Sequence, residues 1–302
     1  MRPSPSTPQT LRATPPSISG FTFLRNGVSL GFPFESSIRS LLPLVDEFVI
    51  AVGKSDDDTL ARVRSINDPK IRIIETVWNE RMAARGFVYA QQKMIAQYAC
   101  TGDWAFYLEG DEVLHESELE AIRQSLIRHH DNPEVEVLVF DYLHFYGSPD
   151  WLAVSPAWYR RECRLIRNTI RSYAPDGQFW VVMEKHRRGR LPKAALANAH
   201  IYHYGHVRKL HYMQSKLDQV SKYWSGQAPK VTYSIDPSAI KPFTGSHPAC
   251  IRDWLATEAE PVFHPDPAHR LSRREKRHRL MMKLERWFDL ELSHKHYRLI
   301  NK

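Results

Sequence analysis

From Ile18 to Leu24 the chain reads Ile-Ser-Gly-Phe-Thr-Phe-Leu, a short apolar run closed by the Asn26-Gly27 turn signal, which predicts a buried strand. Pro33 and Glu35 open a helix running through Leu42, and the strand Glu47 to Val52, a helix over 60–66 and a third strand over 71–75 follow. A helix over 86–99, with Phe87, Ala90, Met94 and Tyr98 on one stripe, leads into a fourth strand from Asp103 to Leu108. Ser117 then serves as N-cap, with Glu118 and Glu120 in the first turn of a helix reaching His130, and 135–140 reads as a fifth strand. Strands alternating with helices predict an α/β domain with a mostly parallel, Rossmann-like sheet flanked by helices. Ligands in such sheets bind beyond the carboxyl ends of the strands. After residue 142 the pattern loosens, with Arg164 to Arg167 and Gln178 to Met183 as strands and Lys209 to Trp224 as a helix.

The two ends of the chain differ in kind from this body. Residues 1–16 hold Pro3, Pro5, Pro8, Pro15 and Pro16 among Ser and Thr, a composition that buries little apolar surface and predicts a disordered segment. The expected folded domain is 17–250, and 251–302 is expected to be a basic helical C-terminal extension. Most of the formal charge of +8 sits in the last part of that extension. From Ala268 to Lys302 there are 11 Lys and Arg against 4 Asp and Glu, leaving 31 against 30 upstream. A nearly neutral body weakens a nucleic-acid reading of the whole protein, and no nucleic-acid partner is expected.

No stretch has the roughly 18 to 20 apolar residues that a membrane span needs, since Leu41 to Val52 is broken by Pro43, Asp46 and Glu47. No apolar signal region precedes a small-residue cleavage site, so the expected location is cytoplasmic, with a peripheral position at the inner face of the membrane open to it. Cys100, Cys163 and Cys250 are too few and too far apart for a disulfide framework and read as reduced thiols.

The chemistry concentrates where the fourth strand ends. Glu109-Gly110-Asp111-Glu112 would emerge at the sheet edge, with Glu109 and Asp111 on one side of an extended chain and Gly110 allowing close backbone approach to a phosphate. Two hard oxygen ligands at that spacing suit Mg²⁺ or Mn²⁺ on a diphosphate. A solvated acidic turn before a helix is the other reading of the same residues.

The stretch Thr101-Gly102-Asp103-Trp104-Ala105-Phe106-Tyr107-Leu108-Glu109-Gly110-Asp111-Glu112-Val113-Leu114 resembles a segment of family 2 glycosyltransferases. There Gly-Asp-Trp and a hydrophobic run lead into Leu-Asp-Ala-Asp-Glu, which contains the Asp-x-Asp motif. The opening strand, the acidic loop after the second strand and the helix before the motif strand occur here in the same order. The likeness covers about residues 18 to 145 and, loosely, Arg164-Leu165-Ile166-Arg167. It implies a GT-A fold and transfer of a sugar from a nucleotide-sugar donor to a hydroxyl acceptor, with a glycan or a lipid-linked acceptor in surface polysaccharide or lipopolysaccharide assembly. Glu109 stands where the family has Asp.

The resemblance also implies roles for other residues. Asp56-Asp57-Asp58-Thr59 is similar to the family's Asp-Asp-Gly-Thr loop, whose acidic residues meet the donor's base or ribose; a helix N-cap is the competing role. Lys93 and Arg208 are grouped with these and with Glu109 as donor-binding candidates. In these enzymes a distant histidine completes the metal shell beside the Asp111 position. His203 and His206 are the candidates, against a polar strand end with aromatic packing, and they favour Mn²⁺. Zinc is disfavoured, because His200, His203 and His206 have no Cys or Glu-x-x-His beside them. An inverting reaction needs a base, for which Glu184 after the 178–183 strand and Asp176 are the candidates. Trp151, Trp158 and Trp180 offer sugar-stacking faces or core packing.

In the C-terminal extension Leu280, Leu284, Trp287 and Phe288 share a helical face bordered by Arg273, Arg277 and Arg286. Such a helix suits an anionic lipid surface, or packs on the catalytic domain with its basic edge in water. Two alternatives to a transferase complete the picture. A non-catalytic binding protein would use this helix on membrane or nucleic acid. A nucleotidyltransferase would need an early Gly-rich basic loop, for which Arg25-Asn26-Gly27 is too thin.

Overall fold

The computed structural model describes residues 15–300 apart from 83, 187, 225–227 and 229; residues 1–14 of the predicted N-terminal segment lie outside the described residues. In chain order the first half consists of β1 (Ile18–Leu24), α1 (Phe34–Leu41), β2 (Glu47–Gly53), α2 (Thr59–Ser65), β3 (Ile71–Thr76), α3 (Phe87–Tyr98), β4 (Trp104–Tyr107), β5 (Glu112–Val113) and α4 (Leu119–His130). The second half adds β6 (Val137–Tyr146), β7 (Ser148–Ala153), β8 (Arg161–Arg167), β9 (Ser172–Tyr173), β10 (Val181–Met183), β11 (Gly189–Arg190), β12 (Lys193–His206), α5 (Leu210–Trp224), β13 (Ile240–Pro242), α6 (Arg252–Thr257), α7 (Arg273–Phe288) and β14 (Arg298–Leu299).

The predicted α/β architecture is present. β3, β2, β1 and β4 lie side by side and parallel, as the alternating strand and helix pattern requires. Strand β6, the fifth in the sequence pattern, does not join β4 directly: β8 enters between them, antiparallel to both. β12 then pairs with β6 in parallel and with β5 in antiparallel, which carries the chain around Asp111. Only Val181–Met183 of the predicted 178–183 strand is extended, in a separate small sheet with β9 and β11.

The central strands are apolar on both faces, as befits a sheet covered on both sides. Phe48, Ile50, Trp104, Phe106 and Phe140 pack against Ile38 and Leu41 of α1 and Ile122 and Leu126 of α4. On the opposite face Phe21, Val49, Ala105 and Tyr107 meet Ala96 of α3 and the buried Trp180. Each such large side chain contributes roughly 1.5–3 kcal/mol on burial, which anchors the strand ends that carry the site. Cys100 and Cys163 are buried, and all three cysteines are free thiols.

Among the described residues, no helix is long and apolar enough to cross a membrane. α7 starts at a capping box in which Ser272 and Glu275 satisfy each other's backbone N–H groups, and it ends at Asp289 in the left-handed region at φ 49°. The face α7 turns inward carries His278, which is buried, and Glu285, which pairs with Arg160 at 3.1 Å. Leu280, Trp287 and Phe288 point outward, so the apolar stripe read from the sequence is not the packing face.

Candidate active site

At the carboxyl ends of β1, β3 and β4 lies a cavity of about 360 Å³. Phe23, Arg25, Trp78 and Tyr89 wall one region, and Glu109, Gly110, Asp111 and Lys216 line another. Asp176, Gly177 and Gln178 enter from the loop between β9 and β10. The sheet geometry accounts for this placement: parallel strands end together, and β4 ends where Glu109-Gly110-Asp111 begins. A Cβ on Gly110 would lie 3.0 Å from Leu24 Cδ2 and 3.3 Å from Phe32 Cδ1, so the turn packs tightly against the cavity wall.

Asp111 is almost fully buried. Its Oδ2 accepts hydrogen bonds from Arg208 Nη2 at 2.5 Å and Lys216 Nζ at 3.1 Å. Loss of water alone would raise this carboxyl, but the Lys216 and Arg208 cations outweigh it and hold it well below the usual range. Oδ1 faces His203 Nε2 at 3.9 Å, beyond hydrogen-bond reach. Burial, aided by Lys216 and Arg208, brings the His203 imidazole down to about 4 and keeps it neutral. Gly205 closes this corner. A Cβ there would sit 2.5 Å from His203 Nε2 and 3.1 Å from Asp111 Oδ2, so the missing side chain leaves a cradle between the two.

A neutral imidazole nitrogen and a carboxylate oxygen converging on such a cradle fit a divalent cation of the Mn²⁺ or Mg²⁺ type, with the remaining positions left to phosphate oxygens and water. Of the other two metal candidates, Glu109 lines the cavity with one oxygen held by Arg164, and His206 points elsewhere. Glu109 Oε1 accepts from Arg164 Nη2 at 3.1 Å, and its carboxyl is pushed up to about 8 by burial and by the neighbouring Glu112. His206 packs edge-on against Trp158 at 4.8 Å and lines a second cavity beneath α7. Among the described residues no cluster of three His, Cys, Asp or Glu side chains is arranged to hold a metal, so this corner offers two protein donors only.

The remaining candidates are placed as follows. Asp57 accepts from the Ser29 backbone N–H at 2.8 Å and the Thr59 backbone N–H at 3.0 Å, stapling the loop after β1 to the start of α2. Asp58 occupies the N-cap position with no side-chain capping bond, and none of Asp56, Asp57 and Asp58 lines the cavity. Lys93 is fully buried under the cavity, with Nζ 3.8 Å from the Trp180 ring centroid and 3.0 Å from the Gln178 carbonyl oxygen to which it donates. Arg208 is also fully buried, its guanidinium 3.9 Å above the Phe32 ring, and it meets the cavity wall through Asp111 and Phe32. Asp176 lines the cavity, and its Oδ1 accepts from the Gln178 backbone N–H at 2.8 Å. Glu184 lies outside the cavity, half-exposed and paired with Arg190 at 3.0 Å. Of the tryptophans singled out, Trp180 is core, Trp151 donates to the Phe263 carbonyl oxygen and Trp158 walls the second cavity.

Four residues at the site have no local sequence signal. Lys216 enters from α5, Trp78 from the loop after β3, and His144 stands behind His203. Arg164 is fully buried, donating from Nε and Nη2 to both oxygens of Glu112 at 2.8 and 2.6 Å. That Glu112 also accepts from Tyr142 OH and from the Glu109 backbone N–H, so a buried ionic network braces the Glu109-Gly110-Asp111 turn from beneath.

No family profile matches the chain, and no curated protein does. Solved structures give partial likenesses. S. aureus TarS 1-349 in complex with UDP-GlcNAc is 14% identical with a TM-score of 0.33, covering 50% of this chain and 45% of that one. Glucosyl-3-phosphoglycerate synthase from Mycobacterium tuberculosis in complex with Mn²⁺, UDP and glucosyl-3-phosphoglycerate is 18% identical, with a TM-score of 0.29 over 44% of this chain and 45% of that one. The mannosyltransferase PcManGT from Pyrobaculum calidifontis, in complex with GDP-Man and Mn²⁺, is 15% identical with a TM-score of 0.36, over 51% and 45%. In each case the matched part of this chain spans less than half the length of the solved structure.

Proposed function

We propose that this chain is a glycosyltransferase of the GT-A type, moving a sugar from a nucleoside-diphosphate donor to an acceptor hydroxyl with inversion, with a divalent metal at Asp111 and His203. The observation that carries the reading is the facing pair Asp111 Oδ1 and His203 Nε2, unbonded at 3.9 Å over the Gly205 cradle beside the cavity. Bound there, Mn²⁺ or Mg²⁺ would offset the charge of the departing diphosphate. The Lys216 ammonium lies on the same side of the cavity and supplies a second positive charge for phosphate oxygens. Trp78, Tyr89 and Phe23 present aromatic surface suited to the donor's base, with the Arg25 guanidinium 5.2 Å from the Trp78 ring centroid.

Asp176 is the proposed base. Its Oδ1 is engaged by backbone N–H groups of Gln178 and Phe179, which orients the carboxylate and leaves Oδ2 for the acceptor's hydroxyl proton. The metal role proposed from the resemblance for Glu109 and His206 is narrowed here to Asp111 and His203, and Glu109 acts through Arg164 on the turn. A setting in surface polysaccharide or lipopolysaccharide assembly follows from the family resemblance.

A membrane contact through α7 is part of the same proposal. Leu280, Trp287, Phe288 and Leu290 are 52–69% exposed on or just beyond a helix bearing Arg273, Lys276, Arg277 and Lys283, a combination suited to an anionic lipid surface that carries a lipid-linked acceptor.

A thermal-shift screen of UDP-, GDP-, CMP- and TDP-sugars with and without Mn²⁺ tests the activity class. One nucleotide sugar is expected to stabilise the protein only with Mn²⁺, and Asp111→Asn is expected to abolish that shift together with turnover. Undiminished activity in Asp111→Asn refutes the metal assignment. No response to any donor, with lipid or nucleic-acid binding retained, favours a non-catalytic binding protein.

A further inference from the structure

His144 on β6 is 2% exposed and does not line the cavity, yet it stands directly behind His203. Its Nε2 lies 2.9 Å from the Tyr159 backbone carbonyl oxygen. A carbonyl oxygen can only accept, so this nitrogen carries a proton. In the neutral ring the other nitrogen, Nδ1, is then an acceptor. The atom facing it, at 2.9 Å, is Nδ1 of His203. Two bare nitrogens would repel at that distance, so His203 Nδ1 must carry the proton and donate. Its Nε2 is left as an unprotonated lone pair, aimed at Asp111 Oδ1 across 3.9 Å.

From this chain of hydrogen bonds we infer that His144 is a positioning residue: anchored by the Tyr159 carbonyl, it fixes the tautomer of His203 so that Nε2 is presented as a metal ligand. The inference rests on the metal reading above and adds a residue to it. The His144 ring cannot turn freely, being held 5.0 Å from Tyr142, 4.7 Å from Tyr159 and 5.1 Å from Trp158 between ring centroids. Without an acceptor at its Nδ1 position, His203 would be free to move its proton to Nε2. There it would point at Asp111 Oδ1 and remove the lone pair that a metal needs. Outer partners of this kind alter metal affinity by about 10–100-fold.

Two readouts separate this inference from the metal reading. In the metal-free protein, ¹⁵N spectra of labelled histidine, assigned with His203→Gln, should show His203 with a pyrrole-type Nδ1 and a pyridine-type Nε2. His144→Phe, which keeps a ring in the aromatic stack, should shift the proton of His203 to Nε2. Mn²⁺ titration followed by electron paramagnetic resonance should show about 10–100-fold weaker binding in His144→Phe. His144→Asn, which restores an acceptor near the lost Nδ1, should recover most of that affinity. A wild-type His203 protonated at Nε2, or unchanged tautomer and Mn²⁺ affinity in His144→Phe, overturns the inference. Should His144→Phe fail to fold, the wild-type spectrum still decides. No Mn²⁺ binding by the wild type refutes the metal reading, and the spectra then judge the tautomer by itself.

Discussion

Replacing Arg164 with Met removes the positive charge that pairs with Glu112 in the interior. Both side chains are fully buried, and the guanidinium donates to Glu112 Oε2 from Nε at 2.8 Å and to Oε1 from Nη2 at 2.6 Å. It also reaches Glu109 at 3.1 Å and the Cys163 carbonyl oxygen at 3.0 Å. In Arg164→Met the Glu112 carboxylate would keep only the Tyr142 hydroxyl and the Glu109 backbone N–H as donors. Leaving a buried charge without its partner costs about 3–5 kcal/mol, a large part of a typical domain's stability. Removing both charges in Arg164→Met/Glu112→Gln should recover much of this, because a buried pair replaced as a unit is often nearly neutral. Urea unfolding at pH 7, followed by tryptophan fluorescence and extrapolated linearly, measures both. A single variant within about 1 kcal/mol of wild type, or a double variant no better than the single, would refute a network held by charge compensation.

Gly205→Ala should place a methyl group 2.5 Å from His203 Nε2 and abolish Mn²⁺ binding in a paramagnetic resonance titration, while costing about 1–3 kcal/mol from overpacking. Unchanged Mn²⁺ affinity would remove the cradle from the metal site. Asp176→Asn should lower kcat by about 10²–10⁴-fold with the donor found by screening, and Glu184→Gln should change it little; a reversed result would return the base to Glu184. Glu47 ties β1 to the segment before β4 by accepting from Ser19 and Thr101. Burial opposes its ionisation, but these bonds and Arg72 bring its carboxyl to about 2 from the usual 4.5. Its contribution is therefore full above pH 4.5 and is lost as pH falls towards 2, so Glu47→Gln should flatten acid unfolding over that window. Equal acid sensitivity in the two proteins would contradict this. Trp287→Glu should reduce co-sedimentation with phosphatidylglycerol vesicles, and unchanged binding would place the lipid contact elsewhere.

The local pattern of the sequence determined the parallel half of the sheet. Strands such as Phe48-Val49-Ile50-Ala51-Val52 are buried on both faces, so their signal is a continuous apolar run needing no distant partner to be recognised. That alternation also placed Glu109-Gly110-Asp111 at a strand end facing a cavity. β12 was harder to read. Its fourteen residues mix small, apolar and polar groups without a steady alternation, and the pairing with β6 and the bulge at Asn198, φ 55°, explain how it continues to the histidines.

Tertiary structure decided which polar side chains share the site. Arg208 and Lys216 meet Asp111 across 97 and 105 residues, and His144 meets His203 across 59. Such partners are set by strand order and helix docking, to which local periodicity is blind. The insertion of β8 between β4 and β6 puts Arg164 under Glu112 and draws Glu109 towards it. The path of β12 past β5 brings His203 to Asp111 and leaves His206 against Trp158, although the two are three residues apart. Asp176 reaches the cavity while Glu184 lies in an outer sheet for the same reason. Residue type and spacing named the acidic motif and its histidine candidates. Which of them face one another follows from the register of strands far apart in the chain.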